Sequence, residues 1–155
     1  MLKRPEHVVA LDVGVTWEPN APEALFLQLE RRAFVVLRAH SADSDTRDVV
    51  LVFEGFTSAV VGGPNDEAHH GHRLWRSGLS ECLWAGEVFA SSYIDALQQS
   101  NRVHPYHDAA RFAELRHFIL LLKEGIFECV ARDVLARRSD GARSEILTEI
   151  LNQAR

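Results

Sequence analysis

Apolar residues recur at every second position near the start of the chain. Val9, Leu11, Val13, Val15 and Trp17 alternate with Val8, Ala10, Asp12, Gly14 and Thr16. Period two with β-branched residues predicts a strand with one buried face. Glu18-Pro19-Asn20-Ala21-Pro22 ends it, because proline removes a ladder donor and restricts the residue before it. Leu25, Leu27 and Leu29 then alternate with Phe26, Gln28 and Glu30, and residues 33–38 form another apolar run after Arg31-Arg32. Two strands joined by a tight polar turn fit this pattern. A single helix over residues 23–32 competes, since good helix formers fill that stretch. Val49-Val50-Leu51-Val52-Phe53 is apolar throughout, as a strand covered on both faces requires. Gly55 marks a turn or bulge before the pattern resumes over residues 56–61.

In the second half, residues 81–90 alternate again and predict a strand, with Cys82, Trp84, Gly86 and Val88 set against Leu83, Ala85, Glu87 and Phe89. Ser91-Ser92-Tyr93-Ile94-Asp95 predicts a helix start, with Ser92 accepting from a free backbone N–H and Asp95 answering from three positions on. This helix ends near Asn101, and residues 108–115 predict one or two further helical turns. Residues 116–122 and 126–132 read as a hairpin around Lys123-Glu124-Gly125, where Gly125 permits the turn. Helix competes here too, because Leu, Ala, Glu and Arg abound. Arg137-Arg138-Ser139-Asp140-Gly141 is a break, and residues 144–154 form an amphipathic helix carrying Ile146, Leu147, Ile150 and Leu151 on one face. The sum is one α+β domain over residues 1–155, mainly an antiparallel sheet with two or three helices, one of them C-terminal.

Length and charge narrow the function classes. A chain of 155 residues is long enough to bury roughly two-thirds of its unfolded surface without a disulfide or a metal. The formal charge of −5 and the lack of a Lys/Arg stripe argue against a nucleic-acid partner. No apolar run approaches the ~20 residues of a membrane span. The basic pair Lys3-Arg4 lacks the long apolar core that an ordinary signal peptide carries. Cys82 and Cys129 sit in apolar contexts and are expected as buried free thiols in a reducing cytoplasm.

Two polar loops, residues 62–72 and 101–108, hold five of the eight histidines. If they meet, Asn65, Asp66, Glu67, His72, Asn101, His104 and His107 form a polar binding site. His69, His72, His104 and His107, with Asp66 or Glu67, are also the donors that a divalent metal such as zinc accepts. The spacing matches neither a helical HExxH pair nor a CxxC knuckle. Asn65 and Asp66 also suit a turn, since their side chains bond nearby backbone. Ser91, Ser92 and Ser100 lie outside any Gly-x-Ser-x-Gly elbow, and Gly62-Gly63-Pro64 lacks the residues of a phosphate loop. His117, in an apolar strand, reads as a satisfied, half-buried histidine, and Trp17, Trp75 and Trp84 read as core.

Gly63-Pro64-Asn65-Asp66-Glu67, Gly71-His72, Gly78-Leu79, Asn101 with Val103-His104-Pro105, Arg116-His117-Phe118 and Phe127-Glu128-Cys129-Val130-Ala131 resemble a set of small uncharacterised proteins. The resemblance spans residues 53–132 and favours the strand reading of the last hairpin. It implies no reaction and no binding residue. The expectation is therefore a cytoplasmic domain that binds a small molecule or a protein through its two polar loops. A metal-dependent hydrolase is the alternative, and a homo-oligomer joined through sheet edges is a third reading.

Overall fold

Alternate side chains of the apolar run at residues 49–53 enter two different cores. Val49, Leu51 and Phe53 point between two sheets, whereas Val50 and Val52 point outward beneath a helix. The computed structural model describes residues 2–154. Strand β4 (Val49–Glu54) lies inside a four-stranded sheet ordered β2-β3-β4-β9, with β2 at Leu25–Gln28, β3 at Arg32–Leu37 and β9 at Asp133–Arg138. The facing sheet is ordered β1-β6-β7-β8-β5. Its strands are β1 (His7–Ala10), β5 (Ser58–Gly62), β6 (Ala85–Phe89), β7 (Arg116–Leu121) and β8 (Ile126–Ala131). Every ladder is antiparallel. Helices α1 (Ser92–Asn101), α2 (Ala109–Ala113) and α3 (Arg143–Gln153) complete an α+β fold.

The principal core lies between the sheets, where Phe53 meets Phe118 and Phe127 at 5.7 and 5.3 Å. Each outer face then carries its own cover. Ile146 and Ile150 of α3 close over Phe34, Val36 and Val50; burying one such side chain contributes about 1.5–3 kcal/mol. On the other side, the 3-10 turns Asp66–Gly71, Trp75–Ser77 and Leu79–Glu81 cross the five-stranded sheet. Leu74, Leu79 and Cys82 from this layer pack on Val8, Val88, Ile119, Leu121 and Ile126. Gly78 makes the approach possible. Its φ is +112°, and a Cβ there would stand 2.2 Å from the Val8 carbonyl oxygen.

Most predicted strands form, including both hairpins and the continuous run at β4. The first one divides. Pairing stops at Ala10, Gly14 takes φ +84°, and the chain crosses to the other sheet, where Trp17 bridges Ala39. Leu11, Val13, Val15 and Trp17 still face the inter-sheet core, while Val9 is exposed. Residues 81–84 precede β6 rather than belonging to it. Strand β9 is absent from the sequence reading because Asp133, Arg137 and Arg138 mask an edge strand, and the break placed at residues 137–141 begins inside it. Ser91, one residue before the expected Ser92, caps α1 and accepts from the Ile94 N–H at 3.1 Å. Ile146 and Ile150 alone of the four expected α3 residues are buried; Leu151 is half exposed. Both cysteines are buried and free, on opposite faces of one sheet. No helix among the described residues is long and apolar enough to cross a membrane.

Candidate functional site

The two histidine loops do not meet. The first leaves β5 at the end of the sandwich marked by the β7–β8 turn, where the Asp66 N–H donates to Lys123 O at 2.9 Å and its carboxylate takes a salt bridge from Lys123 Nζ at 2.8 Å. That ammonium holds the Asp66 carboxyl below its ordinary range. Asn65 precedes the 66–71 turn without a side-chain cap, and Glu67 is exposed. His69 turns toward Trp75 and Lys123, and its Nε2 is buried with no protein partner. The second loop lies at the other end, beyond Arg116 and Ala131. There the Asn101 amide oxygen accepts from His107 Nδ1 at 2.8 Å, and His104 Nδ1 accepts from the Tyr106 N–H at 3.0 Å. His69, His72, His104 and His107 are thus split between distant places. Among the described residues no group of three or more His, Cys, Asp or Glu could hold a metal ion. The spatial premise of a shared four-ligand zinc site fails because the 3-10 layer runs across the sheet and carries His72 into its interior.

Around the second loop the chain builds an open cleft of about 580 Å³ between the β2–β3 turn, the β4–β5 turn and the α1–α2 connection. Arg31, Arg111 and Arg132 line it with Asn101, His104, Tyr106, Asp108 and Phe112. Gly55 shapes one wall: its φ is +66°, and a Cβ there would lie 2.7 Å from Arg132 Cγ, so only glycine lets the arginine stem cross the turn. Arg132 reaches Glu114 at 3.3 Å and Arg111 reaches Asp108 at 4.0 Å, both in solvent. Arg31 has no carboxylate partner among the described residues, so the lining stays cationic on a chain of net charge −5.

A second cluster is buried on the outer face of the β7–β8 hairpin. The register pairs His117 with Val130 and Ile119 with Glu128, which places His117 and Glu128 diagonally on one face. Glu128 Oε1 accepts from His117 Nε2 at 2.9 Å and from Arg73 at 2.8 Å; Oε2 accepts from Arg73 at 2.9 Å and faces His72 Nε2 at 3.4 Å. The other ring nitrogen of His117 lies 2.7 Å from Ser91 Oγ, and Tyr93 stands edge-on to the ring at 5.4 Å. The Tyr93 hydroxyl bonds Ser58. His117 is fully buried and Glu128 is 8% exposed. Burial opposes ionisation of Glu128, but the bonds from His117 and Arg73 outweigh it and hold the carboxyl well below its ordinary range. Burial also lowers the His72 pKa, against the pull of Glu128, and its Nδ1 accepts from the Leu74 N–H at 3.1 Å. The proton of a neutral His72 therefore sits on Nε2, toward the carboxylate.

Glu128 and Arg73 escaped the sequence reading. One signal was present: a carboxylate inside Ile126-Phe127-Glu128-Cys129-Val130 must find a cation if the strand is buried. No family model matches the chain, and no curated protein or solved structure matches it either.

Proposed function

We propose that the protein binds a small carboxylate- or phosphate-bearing molecule in the cleft at the C-terminal end of α1. The observation that carries this reading is the convergence of Arg31, Arg111 and Arg132 beside Asn101, His104 and Tyr106. Guanidinium forks match carboxylate and phosphate oxygens in pairs. The rings of Tyr106 and Phe112 offer apolar surface to the rest of such a ligand. Among the residues expected from sequence, Asn101 and His104 belong to this site, with His107 holding Asn101 in place. The reading includes a cytoplasmic location, where buried thiols such as Cys82 and Cys129 serve without a disulfide.

Calorimetric titration with inorganic phosphate, citrate and a panel of phosphate monoesters tests the proposal. Saturable binding that weakens with added salt is expected. Arg132→Ala should lower affinity about tenfold, equivalent to ~1.4 kcal/mol. No saturable binding by any member of the panel at low salt would overturn it.

A further inference from the structure

We propose that Ser91 and His117, oriented by Glu128, form a nucleophilic acyl-transfer site for small carboxylic esters, closed in this conformation by the side chain of Glu6. The inference uses residues outside the arginine cleft and does not depend on ligand binding there.

Three features lead to it. The Glu128 carboxylate accepts from His117 Nε2, so Nδ1 is the ring nitrogen that faces the Ser91 hydroxyl, 2.7 Å away. This is the serine–histidine–carboxylate order of roles, with the two ring nitrogens exchanged relative to the familiar protease triads. Ser91 also sits on a sharp strand-to-helix turn: Ala90 before it has φ +53°, and α1 begins directly after it. Finally, the Ser92 N–H and hydroxyl, immediately beyond the nucleophile, donate to one carboxylate oxygen of Glu6 at 2.9 and 3.0 Å. The N–H after a nucleophilic serine is where an acyl oxyanion takes a hydrogen bond. An anion already occupies that position here, and it comes from the chain itself.

In the open form of the proposed site, the arm before β1 swings away and takes Glu6 off the Ser92 N–H. Its ties are Glu6 to Ser92 and an exposed ion pair of Lys3 with Asp95, and it ends at His7, the first residue of β1, whose ring stacks on Phe89 at 5.5 Å. Exposed ion pairs of this kind hold weakly. In the reaction, Ser91 Oγ bonds to the acyl carbon as its proton passes to His117 Nδ1. The tetrahedral oxyanion then re-forms the carbonyl, breaking the bond to the alkoxide, which leaves with that proton as an alcohol. Water, deprotonated at the same nitrogen, attacks the acyl-serine; the tetrahedral adduct collapses, expelling Ser91 Oγ, which retakes that proton, and the carboxylic acid departs.

The test is incubation of the full chain with diisopropyl fluorophosphate, followed by intact mass measurement and peptide mapping. Slow single-site labelling of wild type at Ser91 is expected, at least tenfold faster in Glu6→Ala and in Glu6→Gln, and abolished by Ser91→Ala. A hydroxyl that merely caps α1 would give no adduct. Folded wild-type, Glu6→Ala and Glu6→Gln proteins that all stay unmodified, or an adduct on another residue, would overturn the proposal.

Discussion

Helix α1 begins at a buried charge and ends at an exposed one, and the two ends treat charge in opposite ways. At its start, Glu128 is nearly enclosed, and each of its oxygens has an assigned donor. At its end, Arg31, Arg111 and Arg132 stand in solvent with weak or no carboxylate partners. A buried carboxylate survives only when its partners are fixed, so the first arrangement contributes to the stability of a particular hairpin packing. An exposed guanidinium costs little to leave unpaired, so the second remains available to an external anion. The contrast teaches where an external anion can be received: an excess of uncommitted cations marks a surface for charged ligands, whereas a carboxylate whose donors are all internal serves the groups packed around it.

Removing the buried carboxylate should have the largest consequence. Glu128→Ala leaves His117 enclosed without its acceptor and is expected to cost about 3 kcal/mol in urea unfolding. A loss below about 1 kcal/mol would show that His117 and Arg73 find replacements and would erase the distinction between the two ends. The pH dependence sharpens it further. Unfolded Glu128 takes up a proton as pH falls through about 4.5, its ordinary value, whereas the folded group does not. Its stabilisation is therefore complete above that range and declines below it. His72, kept neutral by burial, acts in the same direction from 6.5 downward. Melts between about pH 3 and 7 should show a steep acid limb in wild type and a shallower one in Glu128→Gln. The smallest effect belongs to the other end of α1: Arg31→Ala should change stability by no more than about 0.5 kcal/mol while weakening anion binding. A large stability loss there would mean that the cleft arginines are structural after all.

Much of the scaffold was legible because its strands obey simple periodicities. The β7–β8 hairpin followed from apolar runs around Gly125, and β4 from its unbroken apolar sequence. What was not legible depends on pairings distant along the chain. Whether residues 11–17 continue a strand or switch sheets is decided by Ala85 and Ala39, which accept or bridge them from elsewhere. Strand β9 carries a polar edge pattern that resembles a loop, and only β4 makes it a strand. At the site, Asn101, His104 and His107 stand together at one end, as their local spacing suggests, but Asp66, Glu67 and His69 belong to the opposite end. His72 is drawn away from both, to Glu128. No local rule brings Arg73 onto a glutamate more than fifty positions later; the tertiary path of the 3-10 layer does that.

The two sheets draw on the chain in alternation, and the four-stranded one is finished only by β9, which zips along the whole of β4 from Val49–Arg138 to Glu54–Asp133. Until Asp133–Arg138 has left the ribosome, a nascent chain therefore carries β4 with one edge bare and no α3 to shelter Val50. Such late closure of distant contacts slows folding and prolongs the exposure of sticky backbone. Synthesis stalled before residue 133 would release a chain prone to clump, and a chaperone that shields strand edges would be most useful to this protein during that interval.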